Sequence, residues 1–189
     1  MRAILTHAAI TVAPLDAAKQ WLAISGARDD TLLTDLLASA LRLCEAFTGS
    51  FPLPTTLRED LAASTRWQKF ASHPITAING LEAIGSDHSR RPLTPDSYAI
   101  DTAFDGTAAI RLTAAIPEPR IAVTMEAGLA ADWAALDPAL RQGIIRLAAH
   151  YYRERDYHER ESGARAASAP PAAPAAVAAL WQPWRRLRL

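Results

Sequence analysis

Three side chains in HYYRERDYHERE have the types and spacing for chemistry: His150, Glu154 and His158. Four residues apart, they share one face of a helix, and two imidazoles with a carboxylate can hold a divalent metal. The same run alternates charge and pairs Glu154 with His158 and Arg155 with Glu159 at helical spacing, which is the pattern of a solvated face. A small metal- or ligand-binding helical protein using His150, Glu154 and His158 therefore stays open as the second function class. Elsewhere the chemistry is sparse. Asp29 and Asp30 precede an apolar run and suit the start of a helix better than a catalytic pair. Cys44 is the only cysteine and falls on an apolar helix face, so it forms no internal disulfide and supports no Cys-based zinc cluster. The eight glycines are scattered, with no phosphate-cradling loop and no G-x-S-x-G turn. The expectation is a protein that is not an enzyme and carries no cofactor and no catalytic residues.

Binding chemistry gathers instead in the closing ALWQPWRRLRL, where Trp181 and Trp184 precede Arg185, Arg186, Leu187, Arg188 and Leu189. Tryptophan and arginine are the residues most enriched where partners dock. Three destinations are open: the tail folds back on its own core, it docks on a partner, or its arginines form a salt-sensitive hook for nucleic acid. No second basic patch supports the last.

The elements that must position these residues follow from periodicity. DDTLLTDLLASALRLCEAFTG repeats Leu32, Leu33, Leu36, Leu37, Ala40, Leu43, Cys44 and Phe47 at three- and four-residue steps, predicting a helix over 30–48, capped by the aspartates and stopped by Gly49 and Pro52. LDAAKQWLAI predicts a shorter helix over 15–24. DPALRQGIIRLAAHYYRERD predicts a third over 137–157, with Asp137 as cap, Pro138 in the first turn, and Leu140, Ile144, Leu147 and Ala148 on its apolar stripe. Between 53 and 132 the prolines and glycines come every eight to twelve residues, and the short runs between them read as antiparallel strands at 56–61, 67–70, 75–84, 97–101, 108–113 and 121–127. GSDHSRRPLTPDS reads as an exposed loop. SGARAASAPPAAPAA is too poor in large apolar groups to order itself, and reads as a linker over 158–174 that tethers a tail over 175–189. Trp21, Trp67 and Trp133 fit core or sheet positions.

The expected fold class is thus mainly α with an inserted small antiparallel β region. Two long helices pack together, a strand-rich middle lies within a single domain over 1–157, and an extended C-terminal tail follows. Of 189 residues, 20 are basic and 20 acidic, so no overall charge draws the chain to nucleic acid or an anionic membrane. The opening segment is too polar for a signal peptide and no run approaches a membrane span. The expectation is a soluble, cytoplasmically made protein.

In this order the segments resemble one family, the head-tail connector or adaptor proteins of long-tailed bacteriophages and phage-like gene transfer agents. VAPLDAAKQWLAISGARDDTLLTDLLASALRLCEAFTG is similar to the family's opening, ending in Thr48 and Gly49. HPITAINGLEAI, LTPDSYAID and IAVTMEAGLA resemble its middle strands, with Tyr98 and Gly128 at the recurrent tyrosine and glycine. LDPALRQGIIRLAAHYYRERD resembles its second long helix and VAALWQPWRRLRL its closing segment. The resemblance implies assembly: copies of the chain, twelve by that family's pattern, form a ring under the capsid portal, at the head-tail junction of a particle assembled in the bacterial cytoplasm. The ring would meet a stopper or tail-terminator protein on its other side and pass DNA through its channel without reading sequence. On this basis Trp181, Trp184, Arg185, Arg186, Leu187, Arg188 and Leu189 are expected to dock on the portal or on a neighbouring subunit. Asp87, His88, Arg90 and Arg91 are expected to form the tail-side contact loop. The alanine-rich linker and the lengthened arginine tail depart from the family's pattern.

Overall fold

A computed structural model of the chain describes residues 1–160 and 174–185, without the side chains of 156–160. The chain divides into two compact units, Met1–Ala8 with Leu53–Ala131, and Ala9–Pro52 with Asp132–Leu189. The mixture of helices and antiparallel sheets is the α+β class expected from the sequence.

The helical unit holds α1 (Val12–Leu22), α2 (Asp30–Thr48), α3 (Pro138–Arg160) and α4 (Ala175–Trp181), the last running into a 3-10 turn over Gln182–Trp184. In α2 the buried face is Leu33, Leu37, Ala40, Leu41, Cys44 and Thr48. Leu41 takes the inward place expected of Leu43, which stays 41% exposed, because Leu37, Leu41 and Cys44 follow the helical step while Leu43 falls off the stripe. Asp29 occupies the cap position but makes no side-chain cap. Its Oδ2 instead accepts the Tyr152 hydroxyl proton at 2.9 Å, tying α2 to α3, and Asp30 takes the Lys19 ammonium at 2.7 Å, tying α2 to α1. The helix ends as its sequence requires: Gly49, at φ 74, donates its N–H to the Glu45 carbonyl at 2.9 Å.

The short first helix begins at Val12 rather than 15 and ends at Leu22, where Ala23 turns left-handed at φ 58 and returns its N–H to Gln20. Trp21 is not a core residue. It is 41% exposed and carries the Arg146 guanidinium 5.3 Å from its ring centre. In α3, Asp137 accepts the Ala139 N–H at 2.8 Å, as its place before Pro138 predicts. Leu140, Ile144, Leu147 and Ala148 are buried, joined by Ile145 and Ala149, and α3 packs against α1, α2 and α4. The helix runs on to Arg160, three residues past its expected end, so the linker expected from 158 begins in helix; residues 161–173 lie outside the described ones.

The sheet unit contains eight strands: β1 (Arg2–Thr6), β2 (Thr55–Ala62), β3 (Gln68–Lys69), β4 (Ile75–Ile84), β5 (Arg90–Pro92), β6 (Tyr98–Thr102), β7 (Ala108–Leu112) and β8 (Arg120–Ala127). One antiparallel sheet has the order β1-β2-β8-β4-β5 and the other β3-β7-β6. Central β8 is buried nearly throughout, while β2 alternates between buried and partly exposed positions, the pattern of a strand with one wetter face. Two strands lacked a sequence signal. β1 lies in the opening segment, whose short apolar run is broken by polar residues, and β5 lies inside the stretch whose composition predicts a loop, where Arg90–Pro92 pair with Glu82–Ile84. β1 takes its ladder from β2, far along the chain, and β5 from β4 across the short turn that joins them, and pairing overrides weak local propensity in both. Trp67 is also out of the core, 49% exposed, with Arg111 5.1 Å from its ring, while Trp133 is buried at 8%.

One buried charge organises this unit. Glu59 on β2 is 3% exposed, and its carboxylate accepts the backbone N–H groups of Ala71 at 3.0 Å and Ser72 at 2.6 Å. It thereby fixes the turn before the cis His73–Pro74 bond.

Candidate docking surface

The C-terminal segment starts where Pro174 ends the small-residue stretch. The Pro174 carbonyl accepts the N–H groups of Val177 and Ala178, so that AAVAALW closes into one short amphipathic helix. Within it Val177 and Trp181, four apart, are the two buried side chains. The segment expected to extend is helical because those two residues have somewhere to go.

Trp181 goes onto its own helical unit. It is 0% exposed, its ring centre lies 5.9 Å from that of Phe47 on α2 at an interplanar angle of 54°, and it sits directly over Gly143 of α3. A Cβ at Gly143 would land on the indole Nε1 and come within 2.7 Å of Cε2 and 2.8 Å of Cδ1. The glycine is the socket into which the indole fits. Nε1 is buried with no hydrogen-bond partner among the described residues, so the seat rests on packing alone. The expectation that Trp181 fills a partner's pocket thus meets a side chain already buried at home.

Beyond it the surface changes character. Trp184 is half-buried, and Arg185 is exposed with its guanidinium 5.6 Å from the Phe47 ring centre. Trp184 and Arg185 therefore remain presented, next to a seat that fixes where they emerge. Arg186, Leu187, Arg188 and Leu189 lie outside the described residues. Gly143 was missed in the sequence because a lone glycine in a helix carries no sign of its contact; its one trace is a residue of poor helix propensity within an apolar stripe.

The other candidate residues separate. Asp87 and His88 are exposed in the turn between β4 and β5, which the left-handed His88 (φ 67) closes. Asp87 accepts the Ser89 N–H at 3.0 Å and hydroxyl at 2.6 Å, and these bonds hold its carboxyl below the usual carboxylate range. Arg90 and Arg91 are exposed on β5 rather than in a loop, and both are engaged, Arg90 with Glu82 at 2.7 Å and Arg91 with Glu118 at 2.8 Å. On α3, His150 and Glu154 meet at 3.2 Å. The side chain of His158 lies outside the described residues, and among those described no three His, Cys, Asp or Glu side chains gather as a metal site. No described helix is long and apolar enough to cross a membrane.

Comparison of the whole fold with solved structures decides what this arrangement is similar to. A chain in the neck of an empty gene transfer agent particle, computed with C6 symmetry, matches with a TM-score of 0.76 at 22% identity, covering 100% of this chain and 97% of that one. The chain has the fold of a gene transfer agent neck chain. Chains from the virion of a native gene transfer agent particle (TM-score 0.70, 24% identity) and from a native neck computed with C12 symmetry (0.66, 23%) match over the same spans. No protein-family model and no curated protein matches the sequence. The likeness thus runs through three-dimensional form from end to end, in agreement with the connector resemblance drawn from the order of the segments.

Proposed function

We propose that the chain is a structural head-tail adaptor: copies of it form a ring beneath a capsid portal, connect it to a stopper or tail-terminator protein, and surround a channel for DNA. The observation that carries this reading is the end-to-end likeness to chains in particle necks computed with C6 and with C12 symmetry. A twelve-membered ring satisfies both, because sixfold symmetry is contained in twelvefold. Nothing in such a role requires bond chemistry, and the sequence offers none of the nucleophile or phosphate-loop motifs that turnover needs.

In this reading the tail splits its labour. Val177 and Trp181 hold α4 on the parent unit, while Trp184, Arg185 and the arginines after it reach the portal or the next subunit. Anchoring close to the contact shortens the free segment and lowers the entropy lost on docking. Repetition around a ring then turns a weak single contact into a strong one.

The test is co-purification with the portal protein of the same particle, comparing the wild type with Trp184→Ala/Arg185→Glu. The wild type is expected to join the portal as a ring, and the variant to keep its helical signal and lose the portal. A variant that joins as well as the wild type removes these residues from the contact. A wild type that forms no ring with the portal overturns the adaptor reading.

A further inference from the structure

Phe104 stands at the tip of the β6–β7 hairpin with its side chain wholly in solvent, at 110% of reference exposure. The tip is braced. Ala103 donates to Thr107 at 2.8 Å and Gly106 to Ala103 at 3.0 Å, the Asp105 carboxylate accepts the Thr107 N–H and hydroxyl at 2.9 and 2.6 Å, and the Asp105 carbonyl lies 2.6 Å from His73 Nε2. Ile100, on the edge strand β6 of the same small sheet, and Trp67, just before β3, are exposed as well. A preorganised turn that holds an aromatic ring clear of its own chain has little entropy left to lose on inserting it elsewhere.

The helical unit carries a recess that suits such a ring. It has a volume of about 280 Å³ and is lined by Ala17, Trp133, Pro138, Ile145, Arg141 and Gln142. That volume, at the lower end of the ~300–1,000 Å³ of small-molecule pockets, has room for one aromatic side chain. Four of the lining residues, Ala17, Trp133, Pro138 and Ile145, are apolar. The charges also complement one another, with Asp105 beside Phe104 and Arg141 beside the recess.

We propose that Phe104 of one copy inserts into the Trp133–Ile145 recess of a second copy of this chain. Knob and recess are different patches, so the contact is heterologous, and repeating it gives each copy one filled recess and one inserted ring, as a closed ring needs. The proposal rests on the ring reading above. It adds which residues make the lateral contact.

The experiment uses the full chain assembled with its portal, with Phe104→p-azidophenylalanine activated by light and the adducts mapped by mass spectrometry. Expected is an intact ring in which position 104 is joined to the neighbour's segment over 133–145, giving a denaturant-resistant ladder. Phe104→Ala should weaken association of copies roughly 30-fold, the effect of losing an interface hot spot. Its exposure means that the substitution leaves the fold of the single chain alone. A ring whose adducts fall elsewhere, or that forms none, overturns this contact while leaving the adaptor reading standing. Absence of any ring from the wild type overturns both.

Discussion

Replacing Gly143 with alanine sets two effects of opposite sign against each other. In the interior of α3 an alanine is better than a glycine by ~0.5–1 kcal/mol, because it costs less backbone entropy to order. The added methyl, however, would sit within 2.7 and 2.8 Å of the Trp181 ring carbons and on top of Nε1. Optimal carbon contact needs ~3.5 Å, so the ring must retreat by about 1 Å. Trp181 is held between Phe47 and α3, and such overpacking costs ~1–3 kcal/mol. The upper bound on the loss is set by release of α4, since emptying a buried tryptophan site costs ~3–5 kcal/mol. The balance is a net destabilisation of about 1–2 kcal/mol, read by urea unfolding, together with faster amide exchange over residues 175–184. The control is Trp181→Ala. In that background the clash is gone, and Gly143→Ala should turn stabilising by the propensity term of ~0.5–1 kcal/mol. A Gly143→Ala protein that is more stable in both backgrounds, with exchange in α4 unaltered, would refute the seat. The same variant also bears on function, since a displaced α4 moves Trp184 and Arg185 away from their point of emergence.

Two further outcomes follow from buried groups. Glu59→Ala leaves the N–H groups of Ala71 and Ser72 without their acceptor, and should cost about 2 kcal/mol or more in urea unfolding, with Glu59→Gln retaining part of that because one oxygen still accepts. Burial pushes the Cys44 thiol far above its ordinary range, with the neighbouring Glu45 charge adding to the shift, so the native protein should react with iodoacetamide at least a hundredfold more slowly than the urea-unfolded chain at pH 8. The sign for stability is that of an acid whose neutral form is favoured by folding. Its contribution is complete below the unfolded thiol value of ~8.5 and falls as pH rises above it, which a urea series from pH 7 to 10 would record.

For function, the anchored tail changes what a truncation experiment means. Cutting the chain after Ala175 removes the residues proposed to meet the portal, but it also uncovers the surface that Val177 and Trp181 cover. Loss of binding would then mix loss of the contact with loss of the fold around it. Substitutions confined to Trp184 and Arg185, one half-buried and the other exposed, separate the two.

Periodicity by itself determined the long helices, because their burial is one-sided and the spacing of Leu33, Leu37, Ala40 and Cys44, or of Leu140, Ile144 and Leu147, has no other use. It also determined the main strands of the middle region, where turn residues bound short runs and the stretch from Ile75 to Ile84 reads as a strand without help. What it left open was every question whose answer lies in a partner distant along the chain. β1 exists because β2 offers it a ladder; Asp29 forgoes its cap because Tyr152 stands within reach; Trp21 and Trp67 stay outside, each under an arginine. The tail shows the division most clearly. The sequence marks Trp181 as a residue that must bury itself somewhere, but tryptophan is equally suited to its own core and to another protein's pocket. The choice was made by Gly143, 38 residues earlier in the chain, since only the missing side chain lets an indole rest against the backbone of α3. Phe104 is the converse case: its sequence context says only that it lies in a turn, and the tertiary structure leaves it exposed, with nothing among the described residues to cover it.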